Sequence, residues 1–305
     1  MGRVHNMFMN VSIHGDCPSS SPRGVAEQVR AAMGTLSPAE KRIGRTLLAA
    51  YPSSGLDTVA RLAKEAQVSA PTVVRFARSL GFGGYKEFQA ALRAELADKQ
   101  ESNLSQAEAR SRNAVPDDET AVRSGWSRAR DAYVAGIGGT FDGVTEEDLE
   151  GVIALLATPR RNVVCFGGAY TGYVADLLVA QLAPARAGVR ALPENSLLFA
   201  AELAQRRRGD VAVALDVRRY EPLVLERARA AHDAGMKVVL LTDRWLSPIS
   251  AFADHVLTAE VRASGPSDTL VPMLALVEGL CELVVDKLGE ESLRRLAVVD
   301  PLRPR

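Results

Sequence analysis

Two groups of side chains in this sequence have the types and spacing for recognition chemistry. The first is Ser69, Thr72, Arg75 and Arg78, within VSAPTVVRFARSLGF. On a helix at 100° per residue, Pro71, Arg75 and Arg78 point away from Val73, Phe76 and Leu80, with Thr72 and Ser79 at the edges. Arginine can bond a guanine edge with two donors, and small hydroxyls reach bases or phosphates. Tyr85 and Lys86, just downstream, are placed for backbone phosphates, unless Tyr85 packs on the core of its own domain. The second group lies in three loops: Gly168, Tyr170 and Thr171; Asp216, Arg218, Arg219 and Tyr220; Asp243 and Ser247. Arg218 and Arg219 offer charge-assisted, bidentate bonds to a phosphate or carboxylate, with Tyr220 closing over it. The alternative is that one arginine pairs with Asp216 or Asp243 inside the protein.

The elements that position the first group read as helix, three-residue turn and helix across Asp57–Phe82. Val59, Leu62, Ala63 and Ala66 recur on a 3.6-residue period, with Asp57 as the cap. Ser69 is the cap candidate of the second helix, Pro71 is tolerated in its first turn, and Gly81 is the expected stop. Ala63 keeps the two helices close. Upstream, Ser37-Pro38-Ala39-Glu40 is a capping box before a helix that buries Ile43, Leu47 and Ala50. Tyr51-Pro-Ser-Ser-Gly55 breaks that helix. A further helix over 84–97 carries Phe88, Leu92 and Leu96.

The second group belongs to a different pattern. From Thr145 a helix with Leu149, Ile153 and Leu156 leads into apolar runs at 162–168, 188–192, 210–216 and 237–243, with an edge run at 255–259. Helical stretches lie between them. Continuous apolar strands separated by helices imply a parallel sheet covered on both faces, the doubly wound α/β class. Ligands of such sheets sit outside the carboxyl ends of the strands, which selects the loops 167–171, 216–220 and 242–247.

The run VSAPTVVRFARSLGFGGYKEF, Val68 to Phe88, resembles the RpiR/MurR-type bacterial transcription regulators, in which a TVxRFxRxLGFxGYxEF-like run closes the helix-turn-helix. The downstream order of elements resembles the sugar isomerase (SIS) domain of the same regulators, so the resemblance covers about Thr35 to Gly289. Matching features are the glycine-bearing loop after the first strand, the run Thr242, Asp243, Ser247 and Pro248, and Ala253-Asp254 before the edge strand. The resemblance implies an N-terminal all-helical helix-turn-helix domain followed by a doubly wound, parallel-sheet SIS-like domain, an α plus α/β architecture. It also implies double-stranded operator DNA as one partner and a phosphosugar effector. Departures are Gln67, where glycine is usual in the turn, and Tyr170, where a small residue is usual. In addition, Leu215-Asp-Val-Arg-Arg-Tyr-Glu-Pro222 replaces the Ser-x-Ser-Gly-x-Thr phosphate cradle.

Composition is that of a soluble globular protein: 305 residues, 47% apolar and 24% charged, with a formal net charge of zero. The charge is uneven. Ser37 to Lys99 holds ten Lys and Arg against six Asp and Glu, net +4, which leaves −4 for the remainder. A basic head on an acidic body suits a regulator and excludes a protein that coats DNA. Cys17, Cys165 and Cys281 show no metal-ligand spacing and are expected reduced, as in the cytoplasm. No signal peptide, membrane span, metal or cofactor is expected. The expected organisation is a disordered tail over 1–30 and the DNA-binding domain over 31–99. A linker with a helix follows over 100–144, then the effector domain over 145–290 and a C-terminal tail over 291–305. Trp126 and Tyr133, in a helix over 120–137, are expected to pack on the body or form a dimer contact within a homodimer or homotetramer. The reading is a regulator whose SIS-like domain senses a small anionic metabolite. The rival is a phosphosugar isomerase, for which Glu194, Glu202 and His232 are the available bases, none in a recognisable catalytic motif.

Overall fold

The structure, a computed structural model, describes residues 24–49, 51–100, 121–193, 195–265 and 267–302. The expectations for 1–23, for most of the linker and for Cys17 and Glu194 lie outside the described residues. Six helices make the head: α1 (Val25–Ala32), α2 (Pro38–Ala49), α3 (Ser53–Leu56), α4 (Val59–Glu65), α5 (Ala70–Ser79) and α6 (Tyr85–Gln100). The capping box at Ser37 forms as expected, with Glu40 accepting from the Ser37 amide at 3.0 Å. Ser79 at the end of α5 also donates to Glu40, at 2.7 Å, so one carboxylate starts α2 and ties down the end of α5.

Several expectations are corrected here. Helix α4 is capped by Thr58 rather than Asp57, with Thr58 Oγ1 accepting from the Arg61 amide at 3.2 Å. The short helix α3 occupies the expected break, and its Gly55 is required, since a Cβ there would stand 2.4 Å from Leu92 and 2.7 Å from Leu47. Helix α1 overlaps the expected tail, and its Val25 and Val29 are buried in the head core with Ile43, Leu47, Leu62, Val73, Phe76, Phe88 and Leu92. The turn after α4 keeps the usual geometry despite Gln67: the Gln67 amide donates to Lys64 O, the Val68 amide to Ala63 O, and Gln67 takes φ +53°. This paired helix-ending arrangement favours glycine at the left-handed position. Gly81 fills the equivalent position after α5, with φ +95°.

The body begins earlier than expected. Helix α7 (Ala121–Gly143) packs its second half on the sheet domain, where Thr140 accepts from the Glu260 amide at 2.9 Å. Its first half is bare: Trp126 is 79% exposed rather than packed on the body. Next come α8 (Glu146–Leu156), β1 (Val163–Gly167), α9 (Thr171–Ala185), β2 (Val189–Ala191), α10 (Ser196–Ala204) and β3 (Val211–Asp216). The series continues with α11 (Pro222–Asp233), β4 (Lys237–Asp243), β5 (His255–Ala259), α12 (Val271–Leu288) and α13 (Glu290–Val299). Helix α13 occupies the expected C-terminal tail and is tied to α9 by Arg295 Nε donating to Ala183 O at 3.0 Å.

The five strands are parallel in the order β2-β1-β3-β4-β5, with the expected edge strand at an edge. Alternate residues feed two cores, as the two-residue period of a strand requires. Val163, Cys165, Val213, Leu215 and Leu241 pack with helices α8, α9 and α12 on one face. Val164, Phe166, Ala214 and Leu240 pack with α11 and with Phe199 and Leu203 of α10 on the other. The order in which strands are added reverses between β1 and β3, the switch point at whose carboxyl ends a doubly wound sheet leaves a crevice. Among the described residues no helix is long and apolar enough to cross a membrane, and no cluster of His, Cys, Asp and Glu could hold a metal ion.

Left-handed backbone costs a side-chain-bearing residue about 1 kcal/mol. Gln67→Gly is therefore expected to raise the stability of the head by about that amount, read as a higher melting transition for the helical domain.

Candidate nucleic-acid interface and effector cleft

Helix α5 presents the expected ridge. Val73, Phe76 and Ala77 are fully buried, whereas Pro71, Arg75, Arg78 and Ser79 are exposed, as is Ser69 before the helix. Thr72 is buried, and its hydroxyl links Ser69 Oγ at 2.8 Å to Arg75, whose Nη2 donates to it at 3.2 Å. It therefore orients Arg75 rather than reaching outward itself. Arg78 Nε donates to Gly83 O at 3.4 Å at the rim of the same face. Lys86 is exposed. Tyr85 is not placed for phosphates: its ring is buried against Phe88, and its hydroxyl donates towards Gly55 O and Asp57 O, each at 3.1 Å. Burial, with Asp57 nearby, pushes its phenol up to about 12. Tyr85 is a staple between α6 and the segment leading into α4.

The loops at the carboxyl ends of β1, β3 and β4 come together as the sheet order requires, but most of their polar groups face one another. Thr171 is buried; its hydroxyl accepts from the Gly168 amide at 2.8 Å and donates to Leu215 O at 2.7 Å, stapling β1 to β3. Asp216 is buried, accepting from the Glu221 amide at 3.2 Å and from the Ser247 hydroxyl. Asp243 is fully buried and takes three donors: the Arg218 amide, the Tyr220 hydroxyl at 2.7 Å and the Trp245 amide at 2.9 Å. Burial and the Asp243 charge push the Tyr220 phenol far above its usual range.

The two arginines part company. Arg218 is buried, and its side chain pairs with Asp268 of the β5–α12 loop, Nε to Oδ2 at 2.9 Å. Arg219 is exposed, with φ +84°, and Tyr220 follows at φ +22°. Tyr170 is 72% exposed. The crevice floor is occupied by a group the sequence did not single out. Glu221 Oε1 accepts from the Ala169 amide at 2.6 Å, and a Cβ on Gly168 would stand 2.0 Å from that oxygen. A carboxylate of the chain itself therefore sits beside the start of α9, where amide donors favour negative charge. Pro222 at the start of α11 withholds the amide that a backbone cradle would use on the other side.

Among the described residues, the candidate isomerase bases Glu202 and His232 do not gather at this crevice. Glu202 is bound by Arg190 at 2.9 Å and by Arg206. His232 stands near the end of α11, edge-on to Phe252 and bonded to Asp233. Residues bonded to the crevice loops but not singled out by the sequence are Glu221 and Asp268. Glu221 lay inside the divergent loop and carried a signal. Asp268 carried none.

Burial is the largest influence on Asp216, raising it from the usual 3.8 to about 6 against the opposing bonds from Ser247 and Glu221. A raised carboxyl binds its proton more tightly in the folded state. Its contribution is therefore most favourable below the unfolded value and is lost as pH rises from about 4 to about 6, by roughly 2–3 kcal/mol. Asp216→Asn keeps an acceptor for the Glu221 amide and offers a donor that the Ser247 hydroxyl can accept. Denaturant midpoints measured across that window are expected to fall less steeply for the variant than for the parent.

Residues 23–99 match the helix-turn-helix domain of the rpiR family, and residues 155–282 match the SIS domain. A Haemophilus influenzae protein described as an uncharacterized HTH-type transcriptional regulator is 27% identical over 265 residues, 85% of this chain and 88% of its own length. The bifunctional protein glk of Burkholderia mallei is 30% identical over 219 residues, 72% of this chain but 32% of its own length, so the chain spans about a third of that relative. The crystal structure of the sugar isomerase domain of the RpiR transcription factor from Sphaerobacter thermophilus shares the fold, with a TM-score of 0.53 at 24% identity, covering 57% of this chain and 97% of that one. With an exposed arginine ridge on one domain and a doubly wound sheet in the other, the chain joins an rpiR-family helix-turn-helix domain to a SIS domain, the make-up of a DNA-binding transcriptional regulator.

Proposed function

We propose that the chain is a cytoplasmic, one-component regulator that places α5 of two subunits in successive major grooves of a palindrome-like operator, and that its SIS domain senses a small anionic metabolite. The observation that carries the first part is the α5 ridge. Arg75 and Arg78 are exposed on the side opposite the buried Val73, Phe76 and Ala77. Arg75 is held by Thr72 before any DNA arrives. Pre-orientation of a planar donor pair lowers the entropy lost on binding. Lys86 lies on the same head as an exposed cation suited to a phosphate.

Two heads require two subunits. The first half of α7 leaves Val122 and Trp126 uncovered, the kind of apolar surface that a soluble protein covers by self-association. For the effector, Arg219, Tyr170 and the half-buried Tyr220 flank the crevice, while Gly168 and the Ala169 amide form its floor. A sugar phosphate or a carboxylate that takes the Ala169 amide displaces Glu221, so it competes with a built-in anion. To act as an effector it must bind one arrangement of the two heads better than the other.

The DNA reading is tested on duplexes selected from a random pool by the parent protein. Arg75→Ala is expected to weaken the selected sequence by about 1–3 kcal/mol and to relax preference at one position, whereas Lys86→Ala lowers affinity evenly and reduces the salt slope by about one. Equal retention by the parent and Arg75→Ala would refute it. Light scattering should show Trp126→Asp shifted towards monomer. In thermal melts with inorganic phosphate, Glu221→Ala should gain a larger upward shift than the parent, because binding to the folded state raises its apparent stability.

A further inference from the structure

A line of buried charged and aromatic groups runs from the β3 loop to the helical head. Arg218, paired with Asp268, places its Cζ 5.1 Å from the centre of the Trp245 ring. Arg244 places its Cζ 4.8 Å from the same ring. Trp245 is 1% exposed. Arg244 in turn lies against the head: its carbonyl oxygen and Cβ would stand 3.2 and 3.4 Å from a Cβ on Gly24, the residue before α1. Its charge acts on Tyr51, whose hydroxyl donates to Glu95 of α6. Glu95 is also buried and accepts from the Val25 amide at 2.6 Å, at the first residue of α1. Ala26, Leu48 and Tyr51 of the head share an apolar cluster with Val238, Leu246, Ile249 and Phe252 of the body.

Two features mark this line as an element with a second arrangement. The Trp245 indole N–H is buried and has no hydrogen-bond partner, a cost that a shifted ring could relieve. In addition, Arg219, Tyr220 and Leu246 are three of the four side-chain-bearing residues with left-handed backbone among those described, and they flank the stack. Such strain persists only while surrounding bonds hold it, and here Asp243 supplies them by binding the Arg218 amide, the Tyr220 hydroxyl and the Trp245 amide.

We propose that Arg218, Trp245 and Arg244 form a relay, such that loosening the Arg218–Asp268 pair in the β3 loop shifts Trp245 and Arg244 and weakens the docking of α1 and α6 on the body. The proposal supplies the regulatory link for the sensor reading above, but the coupling is measurable with neither ligand nor DNA, so the two fail separately.

Amide hydrogen exchange on the full chain tests it. Asp268→Asn keeps the shape of the partner while removing the charge that holds Arg218. It is expected to speed exchange in peptides spanning α1 and the Glu95 turn of α6 by about two- to thirtyfold. Glu226→Gln, an exposed change on α11, should leave those peptides at parent rates. In an Arg244→Met background, which keeps the aliphatic packing, Asp268→Asn should add nothing further in the head. Trp126→Phe leaves Trp245 as the sole tryptophan, and its emission should change with Asp268→Asn. Faster exchange confined to the β3 and β5 loops, an unmoved Trp245 emission, or an undiminished effect in the Arg244→Met background would each overturn the relay.

Discussion

The arrangement of the body depends on one requirement: a carboxylate taken out of water at the end of a strand must find donors. Asp243 ends β4 with no exposure and gathers three of them, from the β3 loop and from its own. Those bonds pull Arg218 inward, turn Tyr220 under the loop and hold Trp245 in the core. Asp216 does the same at the end of β3, through Ser247 and the Glu221 amide. The crevice of this sheet is thus organised by acids drawing donors inward, where a backbone cradle would turn donors outward to a ligand.

The fold was legible for physical reasons. A strand buried on both faces must be apolar throughout, so β1, β3 and β4 stood out as uninterrupted runs. Helix α5 was legible because one face had to fill the head core and the other could not, which separates Val73 and Phe76 from Arg75 and Arg78. Less legible were elements whose burial depends on distant partners. Helix α1 has short apolar spacing that gains meaning only against α2, α6 and the body. Helix α13 is amphipathic but borders a terminus. The capping choice of Thr58 over its neighbour Asp57 shows the limit of local pattern, since both are good caps and the acid instead pairs with Arg61.

The candidate cleft was legible as a place but not as a set of contacts. Strand order alone brings the loops at 167–171, 216–220 and 242–247 together, and it does so here. Which side chains face outward depends on partners far away in sequence. Arg218 turns inward because Asp268, fifty residues on, neutralises it, and nothing near either residue announces the pair. Tyr85 had two readings from sequence, and the carbonyls of Gly55 and Asp57 decide between them, because a buried phenol needs an acceptor. Glu221 was visible in the divergent loop, yet its reach to the Ala169 amide depends on how closely the loop after β3 approaches Gly168.

Pro222, the first residue of α11, has a consequence for how sharply any ligand is discriminated. A glycine-rich turn entering a helix fixes several amides in space, and such rigid dipoles judge the size and geometry of what they enclose. Replacing one of those amides with a ring nitrogen leaves recognition on that side to long, solvated cations such as Arg219. On the proposed function, selection would then rest on ionic strength and overall charge more than on outline, a broader filter than a glycine-lined cradle would provide.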